Sequence, residues 1–292
     1  MKKYIFGIFF AFLLAGFTIF VIFDTFVITR VYTHIVPEET TMELPKAEPV
    51  VTDTSYFDEN ISIEIKTYRA YDTDIYVADV RISSLGYLKC AFANDSFGKN
   101  ITQKTSEIAE AEEALFAVNG DYYGAQDRGC VVRNGIFYRS GLGSNSDCLV
   151  IDKDGNFEIM YEGDVVAEEL VENGVRHIFS FGPGLLENGE VYSNIDRYKG
   201  IANDNPRTAI GIIDELHYVF VVCDGRTEKS KGLSIRELAE FMRTLGIECA
   251  YNLDGGGSST MYFNGKIINK PTTYGDKIKE RSVSDIVYIG YR

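Results

Sequence analysis

No tryptophan occurs in the chain, which removes the widest aromatic platform for a sugar ring, although 19 Tyr and 19 Phe remain to stack on a pyranose face. Only three histidines are present, His34, His177 and His217, and none has metal-pair spacing, so a zinc centre is not expected. The five cysteines, Cys90, Cys130, Cys148, Cys223 and Cys249, include no C-x-x-C pair. Their odd number excludes a complete disulfide framework within one chain. Cys148, Cys223 and Cys249 lie in apolar, strand-like runs that suit a buried small hydrophobe. Positive charge is also scarce. A net charge of −14 lacks the basic footprint that nucleic acid demands, and no nucleic-acid partner is expected. An anionic small substrate stays open, because a few local arginines outweigh a distant global field.

What is present begins with Tyr4 to Phe23, twenty uncharged residues behind Lys2 and Lys3. At 1.5 Å per residue this run spans a hydrocarbon core. A cleaved signal peptide is the rival, but no A-x-A-like cleavage site follows. The expectation is an uncleaved signal anchor over 1–30, with lysines inside and the rest of the chain outside the cytoplasm at the cell membrane. Residues 31–55 carry Pro37, Pro45, Pro49, Glu38, Glu39, Glu43 and Glu48 and resemble an extended stalk. Residues 56–292 then suffice for one domain with a substantial core.

Within that domain the runs at Ile61, Ile63, Ile65 and at Ile75 to Ile82 alternate like strands. Asn134-Gly135, Asp154-Gly155, Asn188-Gly189 and Asn264-Gly265 each sit between apolar runs, the positive-φ chemistry of tight hairpins. Helices are fewer. Ser234 to Leu245 has a capping box at Ser234 and Glu237, an apolar stripe and Gly246 as its stop. Others are expected over Thr105 to Ala114 and, more weakly marked, Val165 to Glu172. The fold class is mixed α+β: antiparallel or mixed sheets with a few flanking helices.

The run Asn252-Leu253-Asp254-Gly255-Gly256-Gly257-Ser258-Ser259-Thr260 ends an apolar strand, Ile247 to Tyr251. Three glycines suit neither strand nor helix, but they permit positive φ and close approach of backbone to a ligand. A tight turn is the plain alternative. Asn119-Gly120-Asp121 likewise ends the strand Leu115 to Val118, which suggests a pseudo-repeat with two Asn-x-Asp pairs at one cleft. Further polar clusters stand at Asn205-Pro206-Arg207-Thr208 before the strand Ala209 to Ile213, and at Cys223-Asp224-Gly225-Arg226 after His217 to Val222. Arg281 precedes a last strand, Val283 to Tyr291. Charges leaving a buried strand are costly unless paired or functional.

In the order N-G-D-Y-Y, F-G-P-G-L-L-E-N-G (Phe181 to Gly189), P-R-T-A-I-G (Pro206 to Gly211), D-G-R (Asp224 to Arg226) and N-L-D-G-G-G-S-S-T, these clusters resemble the phosphodiester glycosidase family. The resemblance covers roughly Ile61 to Arg292. It implies a single α/β domain that hydrolyses a sugar–phosphate diester at the anomeric carbon, with an N-acetylglucosamine-1-phosphodiester-like substrate in envelope or exopolysaccharide glycans. The family often carries Gly where this chain has Asp121, which gives Asp121 less weight than its neighbours. The chemistry asks for little acid catalysis, since a phosphate-ester leaving group is already a stable anion. It asks for positive charge on phosphate, expected from Arg207, Arg226 and Arg281. It also asks for a carboxylate at the anomeric carbon: Asp254 first, Asp224 second, as base or nucleophile. Asn119 and Asn252 would hold sugar hydroxyls, Gly255, Gly256, Gly257, Ser258 and Ser259 a phosphate oxygen or sugar, and Asp121 and Thr208 are further expected substrate-binding residues. No cofactor is required; a structural calcium ion among Asp and Asn oxygens stays open. Two alternatives also stay open: a non-catalytic glycan-binding module, and attack at phosphorus, which usually recruits metals.

Overall fold

A computed structural model describes residues 2–35, 42–141, 146–197 and 203–292. Pro37, Glu38 and Glu39 of the expected stalk lie outside them. Every strand pairing recorded among the described residues is antiparallel.

Three sheets organise the domain. The large one has nine strands in the order Glu190–Val191, Gly184–Glu187, Cys249–Asn252, Arg207–Asp214, His217–Cys223, Thr73–Ile82, Ile61–Ala70, Ser55–Phe57 and Val50–Val51. A second, of five strands, runs Lys266–Ile267, Met261–Phe263, Phe116–Asn119, Asp285–Ile289, Leu88–Phe92. The lateral third sheet runs Ile136–Arg139, Val131–Arg133, His177–Phe179, Asp147–Ile151, Phe157–Tyr161. One face of the large sheet meets the second sheet through Ile63, Ile65, Phe220, Phe116 and Val118. Its other face is covered by the helix Ile235–Arg243, with Leu238, Ala239 and Met242 packed on Ala209, Val221 and Leu185. Burial on both faces explains why His217–Cys223 is buried at every position and does not alternate.

Local chemistry sets the boundaries. Ser234 accepts from the Glu237 amide, Glu237 reaches back to the Ser234 amide, and Gly246 stops the helix at φ +73°. The helix Thr105–Ala111 ends three residues short of its expected end, with Glu113 left-handed at φ +51°. It covers the second sheet with Ile108 and Ala109. The weakly marked helix is reduced to Ala167–Glu172. All four expected hairpins form, and the three Asn-Gly turns take positive φ at both residues. The expected final strand is split at Ser284 into Ser282–Val283 and Asp285–Ile289.

Tyr4–Phe26 lies in one helix, Lys2–Phe26, long and apolar enough to cross a membrane and unburied against the domain. An anchor and a signal sequence share that property. The stalk expected over 31–55 is only partly a stalk. Arg30–His34 pairs with Ser96–Lys99, Val50–Val51 joins the large sheet's edge, and Met42 packs on the core. Backbone donors and acceptors exposed in a strand seek an edge, a long-range pairing that proline and acid content do not reveal.

Candidate active site

Two strand ends meet at the site. Cys249–Asn252 delivers Asp254 from the large sheet, and Phe116–Asn119 delivers Asn119 to Tyr123 from the second. Their junction is hydrogen-bonded: the Asp254 amide donates to Gly120 O at 3.1 Å, and Asn119 Nδ2 donates to Asp254 O at 2.7 Å. Asn119 Oδ1 accepts from Thr208 Oγ1 (2.8 Å) and the Thr260 amide (3.2 Å). Asn119 and Thr208 are therefore a buried clasp under the site, not an open face. The two Asn-x-Asp pairs do converge, but with different partners.

Asp254 stands at this junction. Its Oδ1 accepts from the Gly255 amide at 2.8 Å, and its Oδ2 faces Arg281 Nη2 at 2.8 Å. Its side chain keeps 9 % exposure against 39 % for Arg281, so the carboxylate is nearly buried while the guanidinium stays open to solvent. Burial pushes the Asp254 pKa up, and Arg281, Ser258 and the Gly255 amide recover part of that shift. Arg281 Nε also donates to Ser258 Oγ at 2.9 Å, which fixes the fork. Its guanidinium lies 5.7 Å over the Tyr122 ring. Arg281, the least marked arginine in the sequence, is thus the one that touches Asp254.

Around them the glycines serve close packing as well as access. Gly256 is left-handed at φ +63°, and a Cβ there would stand 2.8 Å from Arg226 Nη2. Arg226 is exposed, held by Asn205 Oδ1 (3.1 Å from Nη2) and leaning toward Thr272 O. The Gly256 amide donates to Pro206 O, and Gly255 and Gly257 lie against Pro206 and Thr272–Thr273. Ser258, Ser259 and Thr260 are buried.

Other expected residues face inward. Asp121 is fully buried, ion-paired to Arg133 at 2.8 Å, and accepts from the Ser180 amide; it does not present itself to a sugar hydroxyl. Arg133 also pairs with Asp285 at 2.9 Å and lies 4.2 Å over Phe179. Gly120 must be glycine here, since its Cβ would fall 2.1 Å from the Asp285 carboxylate. Asn252 Nδ2 donates to Gly182 O and braces the Phe181–Gly184 loop. Arg207, 4 % exposed, donates to Leu233 O and Asn203 O. Asp224 accepts from Tyr76 Oη, the Lys270 amide and Asn269 Nδ2, and burial raises its pKa. Among the described residues no cluster of three His, Cys, Asp or Glu side chains is placed to hold a metal ion. Tyr122 and Asn205 stand in clusters marked in the sequence, whereas Arg133, Asp285 and Asn269 were not singled out. Arg133 had the signal: a charge inside the apolar run Val131 to Ile136 has to be paired.

Beside Arg281 a pocket of about 260 Å³ opens between the strand-end loop and the Phe181 loop. Tyr122, Gln126, Arg128, Ser180 and Phe181 line it. Asp254, Arg281 and Arg226 are not among its lining residues; Tyr122, under the Arg281 guanidinium, connects it to the Asp254–Arg281 pair.

The chain belongs to the phosphodiester glycosidase family, a family of hydrolases, which it matches over residues 112–290, more than half its length. It is 27 % identical over 202 residues to the SPbeta prophage-derived uncharacterized protein YomE of Bacillus subtilis, covering 67 % of this chain and 31 % of that one. It is 29 % identical over 177 residues to N-acetylglucosamine-1-phosphodiester alpha-N-acetylglucosaminidase of Mus musculus, covering 50 % and 34 %. The chain thus spans about a third of the length of these relatives. In fold it is similar to the zebrafish N-acetylglucosamine-1-phosphodiester alpha-N-acetylglucosaminidase catalytic domain auto-inhibited by pro-peptide, with a TM-score of 0.64 at 22 % identity over 80 % of this chain and 83 % of that one. A hypothetical protein from Synechocystis follows at TM-score 0.52, 15 % identity, over 80 % and 63 %.

Proposed function

We propose that the chain is a membrane-anchored, extracytoplasmic hydrolase that cleaves the glycosyl–phosphate bond of sugar-1-phosphodiesters in envelope or exopolysaccharide glycans. The Asp254–Arg281 pair carries this reading. It sets a carboxylate and a guanidinium side by side, which suits a carbon that gains positive charge next to a departing phosphate. Arg281 holds one phosphate oxygen while keeping Asp254 ionised; Arg226 takes another across Gly256. Asp254 acts at the anomeric carbon, as nucleophile or as the base for water. The leaving phosphate monoester needs no proton, so the Asp254 carboxylate beside Arg281 does not require a general acid as partner. Asn119, Thr208, Asn252 and Arg207 hold the loops that present these groups. Asp224, with three protein donors on its oxygens, holds the loop at 269–270.

The helix over Tyr4–Phe26 supports the anchor, and the similarity to named phosphodiester glycosidases supports the substrate class. Incubating the purified chain with a panel of sugar-1-phosphodiesters, N-acetylglucosamine first, should release a phosphate monoester and the free sugar. Tight binding with no turnover across the panel overturns the hydrolase in favour of a glycan-binding module.

A further inference from the structure

The helix ends at Phe26, and three residues separate it from the strand that begins at Arg30. That strand is sealed to the domain: Arg30 pairs opposite Lys99, and His34 opposite Ser96. The helix end is tied as well. Asn100 Nδ2 donates to the carbonyls of Thr25 (3.2 Å) and Ile28 (3.0 Å), and Arg30 pairs with Asp24. A domain so fixed does not swing on a long tether.

Its partner strand, Ser96–Lys99, leads in turn to the pocket at Tyr122. The Asn100 amide donates to Gly124 O at 2.9 Å, Lys99 pairs with Asp127 at 2.7 Å, and Phe97 stacks on Tyr123 with centroids 5.1 Å apart. Between them these contacts hold the segment carrying Tyr122, Gln126 and Arg128. With strands about 5 Å apart, one strand spacing and one ion pair put the pocket's edge within about 15 Å of the helix end. The headgroup layer on each side of a bilayer is about 5–8 Å deep. Apolar side chains are exposed on this side, Val27, Ile28, Val31 and Tyr32, with Tyr122 43 % exposed at the pocket, alongside the charged Arg30, Asp127 and Arg128. Tyrosines favour the membrane–water interface.

We infer that the domain rests on the bilayer from which its own helix emerges, and that its substrate is a glycosyl phosphodiester whose aglycone is embedded in that same bilayer. This rests on the proposed hydrolase and on retention of the helix. In the reaction a water oxygen bonds to the anomeric carbon and the carbon–oxygen bond to phosphate breaks. The electron pair leaves with a lipid phosphate monoester, which stays in the membrane. One water proton is released to solvent, the other stays on the new sugar hydroxyl, and the free sugar departs.

The test uses the full chain in vesicles of phosphatidylethanolamine and phosphatidylglycerol. One set of substrates is phytanyl N-acetylglucosamine-1-phosphodiester and its glucose and mannose counterparts, placed in the same vesicles; the other is the methyl diesters in solution. A variant carries fifteen Gly/Ser residues between Phe26 and Val27, enough to lift the domain by about 20 Å. The parent should cleave a phytanyl diester at least about tenfold faster than the variant, while both cleave the methyl diester equally. Equal rates on the phytanyl diester, or cleavage of methyl diesters alone, overturn the inference. Turnover of neither by the parent overturns the hydrolase itself and this inference with it. If the insertion depresses methyl diester cleavage too, Val31→Ser/Tyr32→Ser decides. A selective loss on the phytanyl diester supports membrane docking, and an unchanged rate removes it.

Discussion

Asp254 is held between two opposing effects, burial that disfavours its charge and Arg281 that restores it, with burial the larger. Its pKa in the free protein therefore lies above the ordinary aspartate value, and the acid limb of kcat/KM should lie above the ordinary aspartate range. Arg281→Met removes the attraction and should move that limb further up; Lys, without the two-pronged contact to Asp254 and Ser258, should rescue poorly. A pH profile that does not move on loss of Arg281 would mean that Asp254 is not the group being titrated. Asp254→Asn keeps the size and the Gly255 contact, so its melting temperature should stay near the parent's while turnover falls at least about a hundredfold. A destabilised variant with near-parental turnover would instead make it a turn residue.

Beneath the site, Arg133 holds two buried carboxylates, Asp121 and Asp285. Burial and the charge of Asp121 push the Asp285 pKa up by more than Arg133 pulls it down. A carboxyl with a raised native pKa keeps a proton that the unfolded chain has already released. Its contribution to stability is therefore full at low pH and is lost as pH rises from the ordinary aspartate range through the native pKa. Melting temperature should fall over that window, and Asp285→Asn should flatten the slope; an unchanged slope excludes Asp285 as its source. Arg133→Met leaves two carboxylates without their cation and should cost roughly 3–5 kcal/mol, measured by denaturant unfolding.

At the scale of elements, the glycine run depends on conformations that other residues pay for in strain. Gly256→Ala forces a Cβ into left-handed backbone 2.8 Å from Arg226 Nη2. It should cost about 1–2 kcal/mol of stability and weaken substrate binding by displacing Arg226; circular-dichroism melts and KM on one preparation check both. Turns and caps were legible because their causes are local. Asn-Gly pairs supply positive φ within two residues, and Ser234 with Glu237 closes a capping box within four. The candidate site was legible as a set of strand-end polar clusters, because charges leaving a buried strand stand out. Which cluster turns inward was not legible. Asp121 and Asp254 occupy like positions after their strands, and only the long-range partners, Arg133 for one and Arg281 for the other, distinguish them. The docking of Arg30–His34 was hidden for the same reason, since its partner strand lies some sixty residues along the chain.

The whole molecule is a stack: helix, nine-stranded sheet, five-stranded sheet and helix, with the site where strands of both sheets end. The apolar helix Lys2–Phe26, outside that stack, should remain in the mature protein. Protease treatment of intact cells should then release a fragment slightly shorter than the full chain; a membrane-free mature form starting near residue 30 removes the anchor. The central claim is attack at the anomeric carbon by a site built on Asp254 and Arg281. Hydrolysis of an N-acetylglucosamine-1-phosphodiester in heavy-oxygen water, read by mass spectrometry of both products, tests it most directly. The account predicts the label in the sugar and none in the phosphate monoester. Label in the phosphate would contradict it, because the bond broken would then be the one to phosphorus.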